Sequence, residues 1–306
     1  MGRGMTEPKR PMAEANRIST VLKQVLGPDR FPVKVGEVAL EYSRQRFADS
    51  PVAKVDGQDL AGFDGMLTAN PSRSKWLILY NSAVRSEGRK RFTIAHEFGH
   101  YMLHTDQQDR FECSDADIET GGDRRDIETE ADLFASTLLM PLDDFRKQVA
   151  SQQVSFDLLG HCADRYGVSL TAAALRWTEI AERRAVLVAS RDDHMLWAKS
   201  NTAAFKSGAY FPTRKSTIEI PRTSVAHSSN CADTYQTETV KANVWFAREP
   251  DTTPVTVMTM VSEQYDYTLT LLLMPDAEWR LPQHDDEDPL EDTFDRFIRN
   301  GQYPVR

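Results

Sequence analysis

The sequence predicts an α+β chain: a helical N-terminal portion holding a small β-sheet, then a β-rich C-terminal portion. Three observations carry that expectation. Apolar residues recur at helical spacing through most of the first 184 positions. Two short runs, residues 63–67 and 76–80, break that period with strand-like sequence around the turn-rich Asn70-Pro71-Ser72. After Ala185 the helical period fades, and short β-rich runs separated by Pro, Asp and Asn turns take over.

In order along the chain, residues 1–15 are polar, with Gly, Pro and basic side chains, and read as a disordered lead. Ile18, Val21, Leu22, Val25 and Leu26 share one helical stripe that Gly27-Pro28 stops. A second helix is expected over residues 35–46, with Val38, Ala39 and Tyr42 inward. Longer helices are expected over 86–104 and 124–140, the latter stopped by Pro141, which cannot continue a helix interior. Residues 156–166 and 170–184 read as two more helices, divided by Gly167-Val168-Ser169. Strands are expected at 186–188, 195–197, 217–220, 240–246, 255–261 and 267–273. The resulting organisation is a lead (1–15), a helical domain (16–184), a β-rich domain of unassigned role (185–282) and an acidic tail (283–306) containing Asp285-Asp286-Glu287-Asp288.

Composition narrows the function. A net charge of −9 disfavours direct nucleic-acid binding, which would need a local basic patch against the overall field. No stretch of about 18 apolar residues exists to span a membrane. The basic, polar N-terminus lacks the apolar segment of a secretory signal. Cys113, Cys162 and Cys231 are few, odd in number and far apart, which fits a reducing cytoplasm better than a disulfide framework.

The chemistry concentrates in His96-Glu97-Phe98-Gly99-His100. Residues i and i+4 lie on one helix face, so His96 and His100 can offer ring nitrogens to one metal ion. Glu97 stands beside the first of them, placed to take a proton from water and pass it to a leaving amine. A surface helix with two incidental histidines is the bland alternative. It fits poorly with apolar Phe92, Ile94 and Ala95, since a buried, unpartnered His-Glu-His cluster is costly. A catalytic zinc needs a third protein ligand. His104 would extend the row, but three side chains spaced i, i+4, i+8 span about 12 Å on a straight helix, which makes it a second-shell or structural residue. Glu128 shares a stripe with Ala131, Asp132 and Ala135 on the next helix and is the candidate ligand, with Asp132 placed to accept the outer N–H of a liganding histidine. Glu130 points about 200° from Glu128 and is the weaker candidate. An ordinary acidic amphipathic helix would show the same pattern.

The segment Arg91-Phe92-Thr93-Ile94-Ala95-His96-Glu97-Phe98-Gly99-His100-Tyr101, followed by Glu128-x-Glu130-Ala131-Asp132-x-Phe134-Ala135-x-x-Leu138-Leu139-Met140-Pro141, resembles the ImmA/IrrE family of metallopeptidases. The resemblance spans about residues 18–182 and includes Phe31-Pro32-Val33. It implies a zincin-like domain with a gluzincin-type site, one Zn²⁺ per chain held by His96, His100 and Glu128. It also implies limited cleavage of a regulatory protein, a helix-turn-helix repressor or antitoxin. The chain departs from the family in lacking a recognisable N-terminal helix-turn-helix, and the resemblance does not extend to its β-rich part. The alternative is a metal-binding regulator that binds a repressor or toxin partner without cutting it; Glu97 would then have no task.

Lesser features complete the reading. Tyr101 is a candidate oxyanion donor one turn after Glu97, and Tyr80 a similar one at a strand end. Residues 76–81 are a candidate strand for binding substrate backbone. Residues 156–184 have helix-turn-helix spacing but little net positive face, so they read as helices closing the core. Trp197, Tyr210, Phe211, Trp245, Phe246, Tyr265 and Tyr267 read as core rather than a ligand cage. The acidic tail would suit a basic partner, or simply aid solubility.

Overall fold

The structure is a computed structural model that describes residues 10–60, 62–113, 123–230, 234–262 and 266–276. Most of the expected lead and the whole acidic tail, with Tyr265, lie outside these residues. The described chain forms two compact units, 10–150 with 161–169, and 151–160 with 170–276.

In the first unit, helix α1 (Pro11–Leu26) takes up the last five residues of the expected lead. Proline at the first helical position costs nothing there, because its missing N–H would have been unsatisfied anyway. Helix α2 (Val35–Arg46) follows, then strands β1 (Val52–Gln58), β2 (Gly65–Ala69) and β3 (Trp76–Asn81). Helix α3 (Glu87–Leu103) begins where the Ser86 hydroxyl accepts the Arg89 N–H. Strand β4 (Arg110–Cys113) and helices α4 (Asp123–Leu139) and α5 (Leu142–Val149) complete the unit's named elements. The sheet order is β1-β3-β2-β4, with β1 parallel to β3 and the other pairs antiparallel.

That order corrects one expectation. Strand β3 is flanked on both sides, so residues 76–81 have no free edge to offer a substrate; among the described residues the edge beside α3's site belongs to β4. Pro141 also ends α4 without ending helical structure. With extended backbone it caps α5, whose first turn carries Asp143 and Asp144.

The core of this unit gathers Leu67 and Ile78 from the sheet with Phe98, Phe134, Leu138 and Leu139 from α3 and α4, all fully buried. Each such side chain contributes roughly 1.5–3 kcal/mol of burial. Helices α3 and α4 meet closely at Gly99, where a Cβ would lie 3.1 Å from the Ala131 Cα. A hydrogen on Gly99 and a methyl on Ala131 are what let one helix reach the other's functional face.

The second unit contains helix α7 (Leu170–Ile180) and an antiparallel five-stranded sheet, together with residues 151–160, the first half of helix α6 (Phe156–Tyr166). Its strands are β5 (Arg184–Arg191), β6 (His194–Ser200), β7 (Tyr235–Lys241), β8 (Pro254–Ser262) and β9 (Tyr267–Met274), in the order β6-β5-β9-β8-β7. Helix α8 (Thr202–Lys206) is capped by the Asn201 side chain. Val154, Phe156, Leu159, Ala174 and Leu175 share one apolar cluster with Leu187, Trp197, Leu269 and Leu271. The division therefore differs from a single cut between 184 and 185: α7 needs the sheet to cover its apolar face. Its middle is buried, including Arg176, which pairs with Glu179 at 2.8 Å. A helix so placed cannot enter a DNA groove.

Trp197, Phe211, Trp245, Phe246 and Tyr267 are core residues, while Tyr210 is exposed. Two expected strands fail. Residues 217–220 contribute only an isolated bridge from Glu219 to His194, and 242–244 form a 3₁₀ turn after β7.

Candidate metal centre

Helix α3 places His96 and His100 one turn apart, and α4 brings Glu128 to them. The Nε2 atoms of the two histidines lie 2.9 Å apart. Glu128 Oε2 is 3.1 Å from His96 Nε2, and its Oε1 is 3.4 Å from His100 Nε2. Three ligand atoms, all within 4.8 Å of one another, thus converge on one point. Tetrahedral ligands at about 2.0–2.1 Å from zinc stand about 3.3 Å apart, so both the spacing and the N, N, O donor set fit that ion.

The surroundings fix the donors. His96 Nδ1 sits 2.7 Å from Asp132 Oδ1, one turn along α4 from Glu128. A carboxylate can only accept, so His96 keeps its proton on Nδ1 and its lone pair on Nε2, toward the cluster. His100 is fully buried, and its ring stacks on Phe111 of β4 with centroids 4.6 Å apart. Burial pushes its pKa down to about 4, against the pull of Glu128, so the ring is neutral and fit to ligate. Burial likewise lowers His104, and Glu130 opposes it. Burial alone would raise Glu128, but the His100 and His96 imidazoles beside it outweigh that and hold the carboxyl well below the usual range.

Glu97 has no exposed surface, and it lies against the start of β2. A Cβ at Gly65 would stand 2.7 Å from Glu97 Oε1 and would also collide with the Thr93 methyl. Gly65 is therefore a functional residue that motif reading missed. A glycine inside a strand run was the available signal, since it marks a close approach.

Of the expected site residues, His96, Glu97, His100, Glu128, Asp132 and His104 are gathered here, and Tyr101 is not. Its hydroxyl donates to the Ser50 carbonyl at 3.0 Å, and its ring packs among Phe47, Trp76 and Phe98. Burial pushes its pKa up to about 12. It faces the core because residues i and i+1 on a helix diverge by about 100°, which turns Tyr101 away from the face that carries His100. Tyr80 packs over Gly57, whose missing Cβ leaves room for the ring. Glu130, set aside as a ligand, reaches the cluster indirectly: its Oε2 lies 2.9 Å from His104 Nε2.

Residues 52–178 match the peptidase M78 family, described as an IrrE N-terminal-like domain. Over 172 residues the chain is 33% identical to the radiation response metalloprotease IrrE of Deinococcus deserti, an alignment covering 51% of this chain and 59% of that protein. The chain thus spans less than two thirds of that relative. A Mycobacterium tuberculosis protein described as a transcriptional regulator shares the fold with a TM-score of 0.50 at 15% identity, covering 87% of this chain and 82% of the other. Residues 52–178 of this chain thus match the ImmA/IrrE type of metallopeptidase domain.

Proposed function

We propose that the protein is a zinc-dependent endopeptidase of the cytoplasm that makes limited cuts in a regulatory protein, a helix-turn-helix repressor or antitoxin. The observation that carries this reading is the convergence of His96, His100 and Glu128 beside a buried Glu97 on the same helix. The three ligands would hold one Zn²⁺, which when bound supplies Lewis acidity toward water and the peptide carbonyl. Glu97 takes the proton from the attacking water and returns it to the departing amide nitrogen. Asp132 holds His96 in the ligating tautomer. Gly65 leaves the space in which the Glu97 carboxylate sits. The edge of β4, the strand that carries the Phe111 ring stacked on His100, offers backbone groups to an extended substrate.

A partner protein that is cut once or twice suits an enzyme working among other cellular proteins, and the relative from Deinococcus deserti is described as a radiation response metalloprotease. The second reading, a regulator that binds without cutting, leaves a fully buried carboxylate at position 97 with no purpose. The test compares the zinc-loaded protein with its Glu97→Gln variant on casein and on any helix-turn-helix protein encoded next to it. One or two discrete cuts in the latter, resistant casein and an inert variant are expected. Many cuts in casein with the neighbour untouched would overturn the limited-cleavage reading. Full biological activity of Glu97→Gln would favour the binder.

A further inference from the structure

The two metal-site histidines are held in different ways. His96 is gripped at the edge of its ring, where Nδ1 lies 2.7 Å from Asp132 Oδ1. His100 is gripped on its face. The Phe111 ring lies against it with centroids 4.6 Å apart and planes only 17° from parallel. Phe92, one turn before His96, stands 6.3 Å from that ring at 38° and makes no such stack. We propose that Phe111 is a positioning residue for the metal site: its ring fixes the rotation of the His100 imidazole, so that Nε2 stays aimed at the point shared with His96 and Glu128. The proposal rests on the metal-site reading above.

Strand alternation puts Phe111 there. Its partner on β2 is Leu67, and residues directly opposite on paired strands share one face of the sheet. Leu67 is fully buried and Phe111 nearly so, which sets both toward the interior. Arg110 and Glu112 project from the opposite face and pair with each other. Four residues of strand thus suffice to deliver one aromatic face to α3.

The ring needs such a support because its last torsion is soft. Helix α3 fixes where the His100 side chain starts, but rotation about the Cβ–Cγ bond of a histidine has broad minima. Nε2 lies off that axis. Rotation therefore swings it away from the cluster, in which it stands 2.9 Å from His96 Nε2 and 3.4 Å from Glu128 Oε1. A flat phenyl against the imidazole resists the rotation, whereas an aliphatic side chain fills space without offering a face. Aromatic pairs of this kind shift an equilibrium by a factor of about two to ten beyond their buried area. Strand β4 is also the edge that the peptidase reading offers to substrate, so one short strand would both meet the substrate and steady a metal ligand.

The test uses the full chain as Phe111→Leu and Phe111→Tyr, with Ile78→Val as a control that loosens the same sheet two strands from β4. Chelator competition reads zinc affinity, the visible spectrum of the Co²⁺-loaded protein reads ligand geometry, and thermal unfolding reads the fold. Phe111→Leu is expected to bind zinc about fivefold more weakly and to shift the Co²⁺ bands. Phe111→Tyr, which keeps the ring, should restore both readouts. Ile78→Val should leave both at wild-type values even where it unfolds as early as Phe111→Leu. Wild-type affinity and bands in Phe111→Leu would overturn the proposal. So would changes in Phe111→Leu that Ile78→Val reproduces at equal loss of stability, because they would be merely structural. Should Phe111→Tyr fail to fold, the comparison of Phe111→Leu with the control decides. A wild type that binds no zinc at all would instead remove the metal-site reading, and the proposal with it. Binding that is lost in His96→Ala but indifferent to Phe111→Leu would remove the proposal alone.

Discussion

His96 and His100 were legible as a pair because a helix repeats every turn, and that rule needs no knowledge of the rest of the chain. Glu128 and Asp132 were legible for the same reason, as one stripe on one helix. Replacing His96 or Glu128 by Ala should remove most bound metal, whereas Glu130→Ala should retain it; metal analysis after gel filtration separates the cases. Loss from Glu130→Ala together with retention by Glu128→Ala would make the assigned third ligand wrong. What could not be read were contacts made across the fold. Gly65 approaches Glu97 from a strand more than thirty positions earlier, and Phe111 reaches His100 from another strand. Tyr101 was misplaced because its neighbours in sequence suggested the cleft, while its packing partners Phe47 and Trp76 come from distant elements. The Gly65 contact has its own consequence. Gly65→Ala should push the Glu97 carboxylate or Thr93 aside, leaving zinc bound but cutting kcat by about 10²-fold, the scale of a misplacement near 1 Å. Activity and metal content measured on one sample decide it; unchanged kcat would mean that Glu97 has slack.

Helices with strong periodicity were found close to their observed bounds, as with α2 and α6. Strand β1 went unread because Val52-Ala53-Lys54-Val55-Asp56-Gly57-Gln58 has little alternation and a glycine near its end, and β4 because four residues carry too short a pattern. Helix α5 was hidden by Pro141, which looks like a stop from the preceding side and serves as a cap from the following one. Asp144 in its first turn takes Arg165 Nε at 2.8 Å, Arg165 Nη2 at 3.1 Å and the Tyr166 hydroxyl at 2.8 Å. Burial tends to raise this carboxyl, but hydrogen bonds from Arg165 and Tyr166 win and lower it below 3.8. A depressed folded-state pKa adds stability above the unfolded value and loses it as pH falls through the folded one. Asp144→Asn should therefore cost about 2 kcal/mol near pH 7, the scale of charge-assisted hydrogen bonds. That gap should narrow progressively below about pH 4, as urea unfolding at several pH values would show; a gap that widens in acid would contradict the assignment. The α3–α4 contact gives a second prediction at this scale. Gly99→Val should force the helices apart, destabilise the fold by about 1–3 kcal/mol and weaken zinc binding, since Glu128 is carried by the displaced helix.

For the whole molecule, the decisive feature is that the change from helical to β-rich sequence near residue 185 does not coincide with a change of compact unit. Periodicity reports the type of each element, whereas a unit is defined by which apolar faces cover one another. Helix α7 ends at Ile180, and its Ala174 and Leu175 pack with Val154, Phe156 and Leu159 against Leu187, Leu269 and Leu271 of the sheet. A chain ending at Arg184 would leave those five residues without their partners. It should expose a contiguous apolar surface, bind hydrophobic dyes and associate at micromolar concentration. The metal-site residues, by contrast, all belong to the other unit, whose own buried residues include Leu67, Ile78, Phe98, Phe134 and Leu138. Zinc binding should accordingly survive in whatever fraction of the shortened chain stays soluble, with unchanged stoichiometry. The discriminating variant keeps the same end point and replaces Leu175 and Leu159 by Ser, which removes the uncovered apolar surface without touching a site residue. Restored solubility with one zinc per chain is the expected result. A shortened chain that stays insoluble with these changes, or a soluble one that no longer binds zinc, would mean that the C-terminal sheet is required for the metal-binding fold itself.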